Sequence, residues 1–161
     1  MAVDMFLNIK GEIQGESQDA DHKDEIDVLA WSWGLSNSGS FHVGGGGGSG
    51  KANFQDLSVT KWIDRSSPTL ALYAANGDHF KEATLVVRKA GKKPLEYLTI
   101  TMNDVLVSAV STGGSGGEDK LTENVVLNFA KIKYSYKMQK PDGSGDTAKE
   151  FNWNIAANKQ Q

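Results

Sequence analysis

The stretch LTENVVLNFAKIKYSYKM, residues 121–138, alternates apolar and polar side chains along most of its length. Its first half places Val125, Leu127 and Phe129 on one face, because side chains two residues apart lie on the same side of a strand. From Ala130 onward the apolar residues occupy the other alternate positions. The pattern predicts one long strand with a bulge or bend near Phe129 and Ala130.

The same period of two recurs on both sides of this strand. Residues 150–155, EFNWNI, alternate without a break. Residues 82–91 and 96–102 also alternate, with Arg88 on the side expected to face solvent, and Gly91–Pro94 joins them as a hairpin turn. The whole chain contains about eight or nine segments of this kind, which predicts a protein built mainly of β-strands.

One segment has helical spacing. Ser67 suits an N-cap, Pro68 suits the first turn, and Gly77 suits the residue after the last turn. The sequence therefore predicts a short α-helix over about residues 67–76. A single helix among many strands favours an all-β barrel or sandwich over an α/β fold, which needs a helix between parallel strands.

The composition excludes several classes of function. The 161-residue chain is predicted to form a single domain, residues 1–161. Its 17 Lys and Arg against 20 Asp and Glu give a net charge of -3, which offers no overall attraction for nucleic acid or anionic lipid. The absence of cysteine excludes disulfides, thiolate zinc sites and cysteine nucleophiles, and leaves three histidines as imidazole donors. We therefore expect no cofactor and no metal.

The start of the chain, MAVDMFLNIKGEIQGES, lacks the basic and apolar regions of a cleavable signal peptide. No stretch has the roughly 18 consecutive apolar residues of a membrane helix, so no membrane insertion is expected. These features predict a cytoplasmic protein. Export by a route without a cleavable signal leaves no such mark and stays open.

Residues 44–51, GGGGGSGK, come within one residue of the phosphate-binding loop G-x-x-x-x-G-K-[ST]. That loop needs a Ser or Thr hydroxyl after the lysine to hold Mg²⁺, and a helix whose first amides face the phosphates. Here Ala52 follows the lysine, and residues 53–63 have the pattern of a strand. The sequence therefore argues against a nucleotide site.

Three other motifs also lack the partners that their chemistry requires. Ser115 lies in a G-x-S-x-G pattern, but all three histidines precede it, whereas the hydrolase triad needs one after it. The acidic stretch, residues 19–27, lacks the glycine and glutamate of a calcium-binding loop and is interpreted as a solvated or charge-contacting segment. Lysines and tyrosines alternate in residues 131–140, which plain amphipathic alternation explains without a nucleic-acid partner. We expect the protein not to be an enzyme.

Residues 25–35, EIDVLAWSWGL, are apolar on both faces if they form a regular strand. Ile26, Val28 and Ala30 would then lie on one face, opposite a second face that carries Trp31 and Trp33. A strand covered on both sides, by a core and by a partner, has this pattern.

Several of these segments together resemble one family. EIDVLAWSWG, GGGGGSGK followed by QDLSVTKWID, SSPTLALYAANG, EYLTIT, VLVSAVSTGGSGGEDKLTENVVLNFAKIKYSY and the terminal WNI are similar to the haemolysin-coregulated protein (Hcp), the tube subunit of bacterial type VI secretion systems. The match runs in order from Met1 to about Tyr136. The resemblance implies a compact β-barrel of two antiparallel sheets with one short α-helix and an extended Gly-rich loop.

The resemblance also implies a structural function without catalysis. Six copies would form a homohexameric ring, and the rings would stack into a tube that assembles in the cytoplasm and is then secreted by a contractile sheath. The spike protein at the tip and effectors in the lumen would be the other partners. The chain stops soon after Ile155, so no C-terminal effector extension is expected.

Three groups of residues are expected to carry this function. Trp31 and Trp33 are predicted to contact a neighbouring subunit, because a closed ring needs covered heterologous patches. Ser32, between them, is predicted to face the lumen and contact effectors. The Gly-rich loop is predicted to contribute to ring stacking, either by direct contact or as a flexible tether. This loop consists of Gly44, Gly45, Gly46, Gly47, Gly48, Ser49, Gly50 and Lys51.

A second function stays open from the residues alone. A stand-alone binding module, such as a lectin-like β-sandwich that binds a ligand through its loops, would have similar alternating strands. The mass of the particle in solution separates the two, because a binding module needs no hexamer.

Overall fold

The computed structural model describes residues 2–11, 13–39 and 51–161. These residues form ten strands and one helix, in the following chain order: β1 (Val3–Ile9), β2 (Ile26–Ser32), β3 (Leu35–Ser36), β4 (Asn53–Phe54), β5 (Leu57–Trp62), α1 (Ser66–Asn76), β6 (His79–Lys89), β7 (Leu95–Thr112), β8 (Thr122–Tyr136), β9 (Lys149–Asn154) and β10 (Lys159–Gln160).

Six strands close into a barrel. Their order is β8-β5-β2-β1-β6-β7, and β7 pairs again with β8 to complete the circle. All the pairings are antiparallel, β9 and β10 extend the sheet outward from β8, and β3 and β4 form a separate two-stranded ribbon. The predicted all-β barrel with a second sheet and one helix is confirmed.

Alternating apolar side chains fill the barrel. Leu7, Ile26, Val59 and Leu127 are fully buried, and each comes from a different barrel strand. Leu70 of α1 is also fully buried and packs against this core. Burying a leucine of this kind contributes about 1.5–3 kcal/mol relative to an exposed position, so the helix is held mainly by tertiary packing.

The strand β8 changes partner along its length. Residues 122–127 pair with β5 on one edge, and residues 131–136 pair with β9 on that same edge. The buried phase changes as predicted, since Phe129 is buried and Ile132 is the next buried side chain. The register with β7 does not shift at this point. It shifts between Val107 and Ala109, so the bulge itself lies on β7.

The helix begins differently from the prediction. It spans Ser66–Asn76, so Ser67 lies inside the first turn and is not the N-cap. The Asp64 carboxylate accepts a hydrogen bond from the Ser66 amide, and the Ser67 hydroxyl accepts one from the Asp64 amide. This reciprocal arrangement is a capping box, shifted three residues toward the N-terminus. Gly77 ends the helix in the left-handed conformation, as expected.

Candidate functional site

Strands β2, β5, β8 and β7 share an outer face made of short side chains. Ser32 pairs with Ser58, Ser58 with Val126, and Val126 with Ala109, so these four residues lie in one row across the sheet. A second row lies beside it. We call the two rows together the small-residue face, which consists of Ala30, Ser32, Ser58, Thr60, Ala109, Ser111, Asn124 and Val126.

The polar groups of this face bond mainly to one another. The hydroxyls of Ser58 and Thr60 donate to Asn124 Oδ1 at 3.2 and 3.3 Å. At its margin, Ser108 Oγ and Asn128 Nδ2 donate to the Asp56 carboxylate at 2.8 and 2.9 Å. Such a surface lacks the Trp, Tyr and Arg side chains that usually anchor tight protein contacts. It suits weak contact with a passing or loosely held molecule.

Ser32 is exposed at the edge of the small-residue face, and a bulge places it there. The register between β2 and β5 shifts between Val28 and Ala30. Val28 is therefore buried while Ala30 and Ser32 face outward, and the expectation that Ala30 shares the face of Val28 is wrong. A bulge inserts one residue and so exchanges the two faces of the strand beyond it.

Trp31 and Trp33 lie on the opposite side from Ser32. Both are half-buried and pack against the core of their own barrel. The ring centroid of Trp33 lies 5.9 Å from that of Tyr134 and 6.4 Å from that of Phe54. Part of each indole is left exposed, so the contact of Trp31 and Trp33 with a neighbouring subunit stays a prediction.

The edge of β2 beside the small-residue face is open toward β1. The two strands pair at only two positions, Phe6 with Asp27 and Leu7 with Ile26. Within the described residues, Val28–Ser32 therefore have strand partners on the β5 side alone. An open edge of this kind can pair with a strand of another chain.

A buried ion pair fixes the strands behind the small-residue face. Lys61 on β5 is fully buried, and its Nζ lies 2.5 Å from Glu123 Oε2 on β8. It also contacts Asp64 at 3.1 Å and donates to the Ser67 hydroxyl, which connects the start of α1 to both strands. Sequence reasoning missed this pair, although a lysine in phase with the buried Leu57 and Val59 was the available signal.

Arg88 fastens the acidic stretch to the barrel, contrary to the expectation that it faces solvent. It is 5% exposed, and its guanidinium contacts Asp19 at 2.5 Å and Asp4 at 3.2 Å. The hydrogen bond from Arg88 lowers the pKa of Asp19 to about 2. The interpretation of residues 19–27 as a charge-contacting segment agrees with this geometry.

His22 makes a second attachment for the acidic stretch. It stacks on Phe6 with ring centroids 4.3 Å apart, and its two nitrogens lie 2.8 Å from Glu25 and 2.7 Å from Glu96. Burial lowers the pKa of His22, but the hydrogen bonds with Glu25 and Glu96 outweigh it and leave the pKa above 6.5. The charged imidazole can donate to both carboxylates at once.

The predicted stacking loop lies mostly outside the described residues. Gly44, Gly45, Gly46, Gly47, Gly48, Ser49 and Gly50 all fall in the stretch that is not described. Lys51 is described and is exposed. The β3–β4 ribbon leads into this loop, and its Phe54 stacks on Trp153 of β9 with centroids 6.3 Å apart. The β3–β4 ribbon is therefore packed against the outer strand β9.

The structure was compared with two other kinds of feature, a metal site and a membrane-spanning helix, over the residues that it describes. No three His, Asp or Glu side chains there are arranged to hold a metal ion. None of the helical residues described forms a segment long and apolar enough to cross a membrane.

Comparisons with known proteins agree with the fold. The family model described as "Type VI secretion system effector, Hcp" matches residues 6–136. The protein hcp1 of Pseudomonas aeruginosa is 58% identical over 162 residues, covering 99% of each chain. The crystal structure of Hcp1 from Salmonella typhimurium is 37% identical, covers all of both chains and superposes with a TM-score of 0.80. A structure titled as a type six secretion system protein is 28% identical, covers 99% of this chain and 100% of the other, and has a TM-score of 0.92.

The family match, the identity over nearly the full length and the shared barrel all support the same family assignment. The chain belongs to the Hcp family of the type VI secretion system, whose members are secreted structural proteins of the tube and not enzymes.

Proposed function

We propose that six copies of this chain close into a ring, that the rings stack into a tube, and that the small-residue face lines the lumen. The single observation that carries the proposal is the small-residue face itself, which spans four strands with short and mostly uncharged side chains. A channel wall of this kind leaves room for cargo and contacts it weakly.

Ring closure would use the open edge of β2. A neighbouring copy that adds a strand there continues the small-residue face from one subunit to the next and satisfies the unpaired backbone groups. Because one patch meets a different patch on the neighbour, the contact is heterologous, and it closes into a ring when the rotation between neighbouring copies adds up to a full turn. The exposed parts of Trp31 and Trp33 lie on the other side of the same strand and would be covered in that contact.

The partners in this proposal are further copies of the chain, the spike protein at the tip, the contractile sheath outside and the effectors inside. Ser32 would contact effectors from its position on the small-residue face. The Gly-rich loop, residues 44–51, would contribute to contact between rings. The protein would assemble in the cytoplasm and leave the cell as part of the tube.

A single cysteine tests the position of Ser32, because the natural chain contains none. A fluorophore on Ser32→Cys is expected to show strong depolarisation by energy transfer in assembled hexamers, since six labels share one channel. The matched control is Leu72→Cys, at a helix position that is 58% exposed and expected on the outer rim. Equal depolarisation of the two variants in verified hexamers would contradict the lumen position of Ser32.

A further inference from the structure

A groove with both apolar and charged walls opens at the end of the barrel where β5 stops and β8 begins. Trp62, Ile63 and Leu121 line one side of a cavity of about 550 Å³. Ile63 and Leu121 are 39% and 38% exposed, and their backbones are joined by a hydrogen bond of 2.8 Å from the Ile63 amide to the Leu121 carbonyl. We call this cavity the end groove. Exposed apolar side chains grouped in this way are typical of surfaces that contact another protein.

The end groove carries an excess of negative charge. Glu16, Asp27, Asp64 and Asp119 line it, and Lys120 lies over Trp62 with its Nζ 5.3 Å from the ring centroid. Burial raises the pKa of Asp27, and the charge of Asp64 raises it further. The acids at this end repel one another, so a positively charged partner would lower the free energy of the surface.

Two acids at the tip of the adjoining loop have no partner of their own. Glu118 and Asp119 follow each other in the loop between β7 and β8, and both are exposed. Neither makes an ion pair within residues 2–11, 13–39 and 51–161. We call residues 118–119 the acidic pair.

Two neighbouring lysines lie just before the start of β7, at the end of that strand opposite to the acidic pair. Lys92 and Lys93 lie side by side in the turn between β6 and β7, and both are exposed. In the described part of the chain they too lack ion pairs, whereas the neighbouring Lys89 donates to Gln139 Oε1 at 3.1 Å. We call residues 92–93 the lysine pair. The acid that lines the same cavity as the lysine pair, Asp142, already accepts hydrogen bonds from the amide and the hydroxyl of Ser144.

The strand β7 separates the two pairs. It begins at Leu95, just after the lysine pair, and ends at Thr112, before the acidic pair. Its 18 residues rise about 3.4 Å each, so the lysine pair of one copy lies far from the end groove of that copy. When two copies are placed end to end, in contrast, the lysine pair of one copy comes close to the acidic pair of the other.

We propose that the end groove of one copy receives the lysine pair of a copy in the next ring, with Lys92 and Lys93 facing Glu118 and Asp119. The inference rests on the proposed function, because it concerns the contact between stacked rings. Two different patches meet and each copy is displaced along the tube from the last, so the contact repeats without closing and extends the stack in one direction. The attraction between exposed charges makes stacking sensitive to salt.

Charge reversal at each end tests the contact. Lys92→Glu/Lys93→Glu rings and Glu118→Lys/Asp119→Lys rings are each expected to remain single rings at about 0.01 M salt, where the screening length is about 30 Å and wild-type rings stack. A mixture of the two variants is expected to stack in alternation, because each altered end then meets an oppositely charged one. Sedimentation velocity and electron microscopy measure the stacks, and about 1 M salt is expected to disperse the wild-type ones.

The matched control is Lys81→Glu/Lys159→Glu, which makes the same change in net charge as Lys92→Glu/Lys93→Glu at exposed positions level with the middle of β7. These rings are expected to stack like the wild type. Stacking by either reversed variant alone, a mixture that stays dispersed, or wild-type rings that do not associate at low salt would each overturn the inference. If the wild-type protein forms no hexamer, ring formation itself has failed, and that result contradicts the proposed function and not the contact between rings.

Discussion

At the residue scale, the buried pair of Lys61 and Glu123 stands out because charges are costly to bury without a partner. The network reaches Asp64 and Ser67, so it joins two barrel strands to the start of the helix. The alternation of residues 57–62 predicted a strand with one buried face, and Lys61 occupies that face. What the sequence could not show is which acid, 62 residues away, completes the pair.

Lys61→Met is expected to destabilise the fold by about 3–5 kcal/mol, because it leaves the Glu123 carboxylate buried and unpaired. The double variant Lys61→Met/Glu123→Leu is expected to recover most of this loss. Chemical unfolding measures both. The control is Lys133→Met, which removes an exposed ion pair with Glu150 at 3.2 Å and is expected to cost less than about 1 kcal/mol. Similar losses for the two single variants would contradict the account of the buried pair.

Asp64→Ala is expected to cost at least the roughly 1 kcal/mol of a lost helix cap, since the Asp64 carboxylate caps the Ser66 amide and also contacts the buried Lys61. The sequence placed this cap at Ser67, three residues further along the chain. The pattern of Ser67, Pro68 and Gly77 correctly predicted that this segment is a helix. The difference arises because both side chains take part in the cap: the Asp64 carboxylate accepts from the Ser66 amide, and the Ser67 hydroxyl accepts from the Asp64 amide. A thermal midpoint unchanged from the wild type would count against the cap at Asp64.

At the element scale, the segment between β1 and β2 is held against the barrel by side chains from several strands. His22 connects it to Glu96 on β7, and Arg88 on β6 holds Asp19. Sequence reasoning identified the segment as charged and made no prediction of its partners. Those partners lie more than 60 residues away along the chain, and nothing in the local pattern identifies them.

The attachment through His22 is expected to weaken as the pH rises. The pKa of His22 in the folded state is raised above the ordinary value of 6.5, so its contribution is fully present below about pH 6.5 and is lost as the pH passes the folded pKa. The difference in melting temperature between the wild type and His22→Gln should therefore be larger at pH 6 than at pH 9. The control, His79→Gln, changes an exposed histidine. A difference for His22→Gln that is constant over this range would refute the charged attachment.

Gly15 allows the same segment to approach β2 closely. A Cβ atom at this position would lie 2.5 Å from the Glu25 carbonyl oxygen, which is backbone and cannot move aside freely. Gly15→Ala is therefore expected to cost about 1–3 kcal/mol, the usual penalty for overpacking. Gly116→Ala is the control, because nothing lies within 4 Å of its Cβ position. Equal unfolding midpoints for the two variants would show that the close approach is not required.

At the scale of the whole molecule, alternation predicted most of the barrel and the single helix. The order of the strands and the closure of β7 onto β8 could not be obtained from alternation, because register and partner depend on contacts between distant segments. The small-residue face was predicted only at Ser32. Its other members lie on β5, β7 and β8, and only the pairing of those strands brings them beside β2.

The mass of the particle in solution tests the central claim most directly. A ring of six copies predicts a sedimenting species near six times the 17.4 kDa chain at micromolar concentration, even in salt high enough to separate stacked rings. Electron micrographs of that species should show six subunits around a central opening. A clean monomer of 17.4 kDa under the same conditions would contradict the ring and would favour a stand-alone binding module.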